Sequence, residues 1–439
     1  MKPAMPGRTT AKAPSARAVA LDLLAAILRR GQPLDQALER HDGLGQLASR
    51  DRAFARLLVT TTLRRLGQID AALAGLLDRP LAAKAAGARD LLRLGAAQLL
   101  FLGTPPHAAV DSTVALATGA QLAPYRALVN AVLRRLAREA ETLLAGQDAA
   151  RLNLPDWLWT SWCAAYGEDT VRAIAGVLAA EPPLDISVRS DPEAWAKRLD
   201  AEPLPTGSLR LAHAGAVIDL PGYAEGAWWV QDFAAALPVR LLGDVAGQTV
   251  IDLCAAPGGK AAQLAAAGAD VVAVDRSAAR MERVAANLER LGLTASRVVA
   301  EAQRWRPPKP VRYVLLDAPC SATGTLRRHP DIAWLKLQAD VERLASVQDQ
   351  LLDAAIDMLA PGGRLVYCVC SLQPEEGPER VASLLARNAP VRRLPIRADE
   401  VGGLEPLITA DGDLRTLPCH LAARGGMDGF YAARLVRTR

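Results

Sequence analysis

Apolar residues recur at helical spacing through the first third of the chain. Steps of three and four residues give the sets Val19, Leu23 and Ile27; Phe54, Leu58 and Thr61; and Leu128, Val132 and Leu136. This spacing places apolar side chains on one face of a helix. Gly and Pro breakers at 31–33, 67 and 103–106 separate the segments. The pattern predicts an all-α domain over residues 16–145, preceded by a disordered tail over 1–15.

The pattern changes twice further along. Residues 150–235 are rich in Trp and Pro, with short extended runs at 185–188 and 217–220, and predict a small α+β connecting domain. From residue 237 short aliphatic runs alternate with helical segments. The runs are 249–253, 271–274, 297–299, 313–316 and 364–369, with helical patterns at 277–291 and 341–359. The alternation predicts a Rossmann-like α/β domain over 237–439, in which helices cover both faces of a mainly parallel sheet.

Composition and charge narrow the class of protein. The chain of 439 residues is 51% hydrophobic, yet its apolar stretches fall short of a membrane span, and no signal peptide is recognisable, so we expect a soluble cytoplasmic protein. Residues 1–150 hold 20 Lys and Arg against 12 Asp and Glu, whereas the remainder holds 32 against 35. The basic excess indicates either a polyanion partner or a solubilising surface.

Two motifs suggest a nucleoside-like ligand. The strand at 249–253 runs into a glycine-containing turn, Cys254-Ala255-Ala256-Pro257-Gly258-Gly259-Lys260, which allows close approach of a ligand to the backbone but also suits an ordinary strand-to-helix turn. The next strand ends at Asp275, 21 residues after Cys254. An acid at this spacing can bind ribose hydroxyls, or it can simply carry charge at a helix N-terminus.

Two cysteines follow later strands. Cys320 lies just beyond the strand at 313–316, in Asp317-Ala318-Pro319-Cys320-Ser321, and Cys370 ends the strand at 364–369. A cysteine at this edge is a nucleophile if a cation or dipole lowers its pKa, although each cysteine by itself also fits a buried structural thiol. Zinc is disfavoured because the cysteines lack paired Cys-x-x-Cys spacing.

Taken together, the motifs resemble those of RNA cytosine-5 methyltransferases of the Sun/Fmu and Nol1/Nop2 type, the RsmB/NOP family. The resemblance rests on 254–260, 316–321 and 367–372, and extends to 323–332. The N-terminal third, with Val129-Asn130-Ala131-Val132-Leu133-Arg134, is similar to the antitermination factor NusB and narrows the resemblance to bacterial enzymes that act on 16S ribosomal RNA.

The resemblance implies S-adenosylmethionine as cofactor and RNA as substrate, with a NusB-like RNA-binding domain at 16–145. It implies that residues 254–260 hold the methionine part, Asp275 the ribose, and Glu301 the adenine, while Asp317 lies between cofactor and base. It further implies that Cys370 attacks carbon 6 of cytosine, Cys320 assists product release, and Lys260 adds positive charge.

The chain departs from the family pattern at three places. It has Ala300-Glu301-Ala302 for the usual Gly-Asp-Ala, Cys368-Val369 for Ser-Thr, and Ala261 for Thr. None of these removes a residue that the chemistry requires. The basic run of Arg327, Arg328 and His329 is expected to contact RNA phosphates.

Two other functions fit parts of the sequence. One is a catalytically silent RNA-binding assembly factor of the same fold, against which the presence of both Cys320 and Cys370 argues. The other is a dehydrogenase, which Gly258-Gly259 disfavours because it lacks the G-x-G-x-x-G spacing. The sequence leaves open which cytosine is modified, whether the substrate is free RNA or an assembling subunit, and the oligomeric state.

Overall fold

A computed structural model describes residues 14–212 and 215–438. Residues up to Leu154, together with His329–Leu335, form one compact unit, and Pro155–Arg328 with the residues from Lys336 onward form a second. The predicted tail at 1–15 lies outside the described residues, except for Pro14 and Ser15. Ser15 caps the first helix, its Oγ accepting a hydrogen bond from the backbone N–H of Ala18 at 3.2 Å.

The described part of the first unit is helical, as the sequence predicts. Its helices are α1 (Ala16–Arg30), α2 (Leu34–Arg40), α3 (Asp42–Gly45), α4 (Ser49–Arg64), α5 (Leu66–Ala74), α6 (Ala86–Leu100), α7 (Pro106–Val114), α8 (Gly119–Leu122), α9 (Arg126–Ala145), α10 (Ala149–Leu152) and α17 (Ile332–Leu335). Leu23, Leu58, Val132 and Leu136, which carry the helical spacing, are buried in its core.

The segment His329–Leu335 completes that core from far along the chain. Trp334 and Leu335 pack against its apolar residues, and Trp334 Nε1 donates to the carbonyl of Leu63 at 2.9 Å. Asp331 Oδ2 accepts a hydrogen bond from the backbone N–H of Leu34 at 2.9 Å. A short stretch between the motifs at 316–321 and 367–372 thus belongs to the helical unit.

A small antiparallel sheet opens the second unit. Its strands, in the order β2-β3-β1-β4, are β1 (Leu184–Val188), β2 (Glu202–Pro203), β3 (Leu209–Leu211) and β4 (Trp228–Val230), accompanied by α11 (Asp156–Tyr166), α12 (Glu168–Leu178) and α13 (Pro192–Leu199). The extended run predicted at 185–188 is confirmed, whereas that at 217–220 is wrong. Val217–Asp219 forms a 3-10 turn, because the N–H of Leu220 bonds back to the carbonyl of Val217, just ahead of Pro221.

The large sheet of the second unit has the predicted, mainly parallel form. Its strands are β5 (Thr249–Leu253), β6 (Asp270–Asp275), β7 (Ser296–Val299), β8 (Val311–Asp317), β9 (Leu359–Val369), β10 (Val391–Arg393), β11 (Leu414–Thr416) and β12 (Phe430–Arg437). The order is β10-β12-β9-β8-β5-β6-β7, with β11 also paired to β12. Strands β5 to β9 run parallel, and β10, β11 and β12 pair antiparallel.

Helices cover both faces of this sheet. They are α14 (Phe233–Arg240), α15 (Gly259–Ala266), α16 (Ala278–Leu291), α18 (Gln338–Met358) and α19 (Pro378–Ala386). Val250 faces the layer of α14 to α16, and its neighbour Ile251 faces that of α18 and α19. Apolar residues on both strand faces explain why the strands appear as mainly aliphatic runs without strict polar alternation. In the described ranges, every helix is too short or too polar to cross a membrane.

Candidate active site

The predicted site residues other than Glu301 lie at the carboxyl ends of β5, β6, β8 and β9, around the point where the strand order reverses, whereas Glu301 lies beyond β7. The chain runs β5-β6-β7 toward one edge and then returns to add β8 and β9 on the other side of β5. Ligands of such sheets bind beyond the carboxyl ends of the strands at this reversal. The turn after Leu253 and the motif beginning at Asp317 end the two adjacent strands that flank it.

The glycine-containing turn has an unusual backbone conformation. Cys254 has φ +60°, the Ala256–Pro257 peptide is cis, and Gly258 has φ +103°, a conformation that L side chains rarely adopt. A Cβ at Gly258 would lie 3.2 Å from Val284 Cγ1. Helix α15 begins at the next residue. Gly258, the first glycine of the motif, is therefore the position whose backbone requires glycine, whereas Gly259 is the first residue of the helix.

Asp275 ties this turn to the adjacent strand end. Its buried carboxylate accepts hydrogen bonds from the backbone N–H of Ala256 at 3.2 Å and of Ser277 at 2.9 Å. The bond to Ser277 fits the role at the start of α16 that the sequence offered as the alternative to ribose binding. Glu301 lies beyond β7, where the N–H of Ala300 bonds to the carbonyl of Asp275 at 3.1 Å. Its carboxylate is exposed and paired with Arg304 at 3.2 Å.

Three carboxylates gather around Cys254. The charges of Asp252, Asp275 and Asp317 all act on its thiol. Burial is the largest cause and the charge of Asp275 the next, and together they raise the pKa of Cys254 to about 12. Both carboxylate oxygens of Asp252 are buried without a hydrogen-bond partner. A cluster of acids with an orphaned carboxyl suits a cationic ligand, and S-adenosylmethionine carries both an ammonium and a sulfonium group.

Lys260 and Asp317 form an ion pair. Lys260 Nζ lies 2.8 Å from Asp317 Oδ2 and 5.1 Å from the centre of the Phe430 ring. Burial is the largest single influence and acts to lower the pKa of Lys260, but the charge and hydrogen bond of Asp317, together with nearby Cys368 and Cys370, outweigh it and raise that pKa above its ordinary value. The lysine is therefore a fixed cation at the reversal point.

The two cysteines of the sequence motifs lie side by side. Cys320 Sγ is 3.5 Å from Cys370 Sγ. That hydrogen bond and burial raise the pKa of Cys320 well above its ordinary value, so Cys320 is held as a thiol. Cys368, which departs from the family pattern, is buried with Sγ 3.5 Å from Asp317 Oδ1. The loops that follow β8 and β9 thus bring the Cys320 thiol within hydrogen-bond distance of the Cys370 sulfur.

The basic run does not act as expected at Arg327. Its guanidinium is buried, with NH2 2.6 Å from Asp232 Oδ2, so the expectation of a phosphate contact is wrong for this residue. Arg328 is bonded to buried Asp428, its Nε at 2.9 Å from Oδ2. The third member, His329, belongs to the helical unit.

Among the buried acids that sequence reasoning missed are Asp252, Glu376 and Asp428. Each interrupts or adjoins an apolar strand or a motif, and a buried carboxylate is rare enough to be a signal. Their partners, however, are distant in sequence. Within 14–212 and 215–438, no group of three or more His, Cys, Asp or Glu side chains is arranged to hold a metal ion.

Known proteins match both units. The profile of the family described as 16S rRNA methyltransferase RsmB/F matches residues 239–436, and that of the NusB family matches residues 14–138. Ribosomal RNA small subunit methyltransferase B of Pseudomonas putida is 38% identical, over 96% of this chain and 98% of its own length. The protein of the same name from Pseudomonas syringae pv. tomato is 37% identical, over 96% of each chain.

A solved structure shares the fold. The crystal structure of PH0851 superposes with a TM-score of 0.71 at 20% identity, covering 95% of this chain and 98% of its own. The matches confirm the predicted fold classes at both ends of the chain. Identity of 37–38% to the two Pseudomonas proteins over nearly the whole length settles the family. The chain therefore belongs to the RsmB/F family of 16S ribosomal RNA methyltransferases, and S-adenosylmethionine is its methyl donor.

Proposed function

We propose that this ribosomal RNA methyltransferase modifies carbon 5 of a cytosine in 16S ribosomal RNA, with Cys370 as the nucleophile. The observation that carries the proposal is the 3.5 Å separation of Cys320 Sγ and Cys370 Sγ beside the Lys260–Asp317 ion pair. Carbon 5 of cytosine is a weak nucleophile until a thiolate adds at carbon 6, and the expulsion of that thiolate is then a separate step. Two adjacent cysteines suit such a cycle.

Cys370 would open the reaction. Its sulfur forms a bond to carbon 6, and the electrons of the 5,6 double bond become available at carbon 5. Asp317 would hydrogen-bond the exocyclic amine or the ring nitrogen, while Lys260 stabilises the negative charge that develops on the ring. The bound cofactor supplies the sulfonium methyl group to carbon 5.

Cys320 would act in the second half of the cycle. The carbon-5 proton leaves to a base, the 5,6 double bond forms again, and the bond between carbon 6 and Cys370 sulfur breaks. Since the pKa of Cys320 is raised by its hydrogen bond to Cys370 and by burial, it is a protonated neighbour of the departing thiolate. A target base must be single-stranded or flipped to reach these groups.

The proposal extends to the cofactor contacts that the family resemblance implies. We assign the methionine part to the turn Cys254-Ala255-Ala256-Pro257-Gly258-Gly259-Lys260, the ribose to Asp275, and the adenine edge to Glu301, with Asp317 between cofactor and base. Support comes from the acids around Cys254 and the hydrogen bond that links Asp275 to Ala256. Among these, Glu301 rests on the least, because its carboxylate is exposed and paired with Arg304.

We further propose a division of labour along the chain. Residues 16–145 form the NusB-like RNA-binding domain, 150–235 a small connecting domain, and 237–439 the catalytic domain. The basic excess of the first third supports the first assignment. A ribosomal substrate, free or in an assembling subunit, would put the reaction in the cytoplasm.

Cysteine variants assayed with labelled S-adenosylmethionine and unmodified 16S ribosomal RNA test the reaction. We expect Cys370→Ala to abolish transfer, and Cys320→Ala to accumulate a covalent protein–RNA adduct that resists denaturing gels. Mapping of the labelled base identifies 5-methylcytosine. Methylation at another atom, or full activity of Cys370→Ala, would refute the mechanism. A folded, cofactor-binding wild type without transfer would favour the silent assembly factor.

A further inference from the structure

A buried carboxylate lies beneath the cysteine pair. Glu376 is fully buried in the 3-10 turn Pro374–Glu376, which follows β9 and the Cys370 motif. It takes no part in the proposed chemistry, and none of its atoms belongs to the predicted cofactor site. A fully buried acid costs free energy unless its hydrogen bonds repay the loss of water.

The hydrogen bonds of Glu376 converge on the residues that follow the two cysteines. Oε1 accepts from the backbone N–H of Ser321 at 2.7 Å, and Oε2 accepts from Ser321 Oγ and Ser371 Oγ, each at 2.5 Å. Gln348 Nε2 is a further donor to Oε1 at 3.3 Å. Ser321 directly follows Cys320, and Ser371 directly follows Cys370. One carboxylate therefore holds both cysteine turns.

Other bonds close the same network. Ser321 Oγ and Ser371 Oγ are 3.1 Å apart, and Thr323 Oγ1 accepts from the backbone N–H of Leu372 at 3.1 Å. The N–H of Gly324 donates to the carbonyl of Cys370 at 3.0 Å. These bonds join the loop after β8 to the loop after β9. Thr323 Oγ1 also lies 3.3 Å from Ser321 Oγ and 3.2 Å from Ser371 Oγ, but Glu376 is the acceptor that receives a hydrogen bond from each serine hydroxyl. Loss of a partner would leave buried donors without an acceptor, which destabilises this arrangement of the two loops.

We propose that Glu376 is a positioning residue that sets the distance between the Cys320 and Cys370 sulfurs. The spacing itself is a property of the free protein. Its catalytic consequence, the timing of release from Cys370, rests on the proposed function. A purely structural role would instead change stability and leave the reaction between the two thiols unaltered in the folded protein.

Oxidation of the free protein by diamide measures the spacing without RNA. Diamide takes two electrons and two protons from a pair of thiols, which join in a disulfide only if the sulfurs can approach in the required geometry. The rate is read from the Cys320–Cys370 linked peptide by mass spectrometry. We expect E376Q to slow this rate by about tenfold or more, because an amide presents one acceptor where the carboxylate presents two.

The adjacent acid provides a matched control. The side chain of Glu375 accepts from Gln338 Nε2 at 3.0 Å, away from the serines, so E375Q should retain the wild-type rate. An E376Q protein that is folded by circular dichroism and cross-links at the wild-type rate would overturn the proposal. If E376Q does not fold, S371A replaces it in the diamide assay. This variant removes one hydroxyl donor and leaves the carboxylate in place, so it too should slow the cross-linking of Cys320 to Cys370, and an unchanged rate would overturn the proposal.

Methyl transfer supplies the second readout. A misplaced thiol should lower kcat by about 100-fold in E376Q with little change in KM for RNA, and the protein–RNA adduct should persist as in C320A. If the wild type transfers no methyl group and C320A forms no adduct, the proposed function fails while the diamide result still judges the spacing. If E376Q slows cross-linking but leaves adduct release unchanged, the positioning role has no catalytic consequence and that part is wrong.

Discussion

Asp252 is an acid inside an otherwise apolar strand. Neither carboxylate oxygen has a hydrogen-bond partner, and burial, reinforced by the charge of Asp317, raises the pKa of Asp252 to about 8. In the cofactor-free protein the group is therefore protonated at neutral pH. A raised pKa means that the folded state binds a proton which the unfolded state releases between pH 4 and 8.

Stability should accordingly fall as pH rises through this window. Below about pH 4 both states hold the proton, and the contribution of Asp252 to the free energy of unfolding is complete. As the pH rises, this contribution declines by up to about 1.4 kcal/mol per pH unit, and it is lost above pH 8. D252N removes the titration and keeps the shape. Urea unfolding midpoints of the two cofactor-free proteins from pH 5 to 8 should thus diverge, with D252N gaining relative to wild type. Parallel profiles would contradict the raised pKa.

Single residues show where sequence reasoning reaches its limit. Asp275, Asp317 and Cys370 could be picked out because each ends a recognisable strand. Glu376 could not, since its bonds come from three separate elements. Arg327 looked like an exposed cation, but distant Asp232 neutralises it in the interior. Burial of charge depends on partners that local sequence does not reveal.

At the scale of elements, the turn into α15 depends on one glycine. Gly258 has φ +103°, and an added Cβ would meet Val284 at 3.2 Å. G258A should therefore lower the free energy of unfolding by about 1–2 kcal/mol from the backbone conformation alone. It should also weaken S-adenosylmethionine binding, because the proposed methionine pocket is built on this turn. Thermal unfolding and calorimetric titration give the two values.

The neighbouring glycine is the control for stability. An added Cβ at Gly259 meets only Gln231 Nε2, at 4.0 Å, and the position begins a helix. G259A should leave the unfolding temperature unchanged or raise it, since Ala favours helix. Equal losses in G258A and G259A would show that the backbone conformation at Gly258 is not the source of the effect.

Elements were predictable where the local pattern suffices. The five parallel strands and helices α16 and α18 appear as runs or periodic segments near their observed bounds. Strands β10 and β11 have three residues each and exist because β12 offers an edge to pair with. Such strands depend on tertiary pairing, which is why the sequence pattern does not indicate them.

At the scale of the molecule, the excess of positive charge lies in the first third of the chain. Arg134 and Arg138 are exposed one helical turn apart on α9, within the basic first third. If that domain binds RNA, R134E/R138E should weaken RNA binding most at low salt and reduce the slope of log affinity against log salt by about one per lost contact. Filter binding at several salt concentrations measures both.

The control keeps the net charge equal. K309E/R392E alters two exposed cations of the second unit by the same amount. It should retain more RNA affinity than R134E/R138E, while both variants bind S-adenosylmethionine as the wild type does. The same loss in both would mean that total charge, and not the helical domain, governs RNA affinity.

The segment His329–Leu335 bears on how this protein can be divided. Its residues complete the apolar core of the helical unit, through Trp334 and the hydrogen bond from the Leu34 backbone to Asp331, yet they are encoded between the Cys320 and Cys370 motifs. A gene cut after residue 154 would encode a NusB-like unit without part of its own interior. In the gene, the two units are therefore interleaved. A helical unit that is exchanged between relatives must keep the segment His329–Leu335 of its own parent protein, because that segment completes its core.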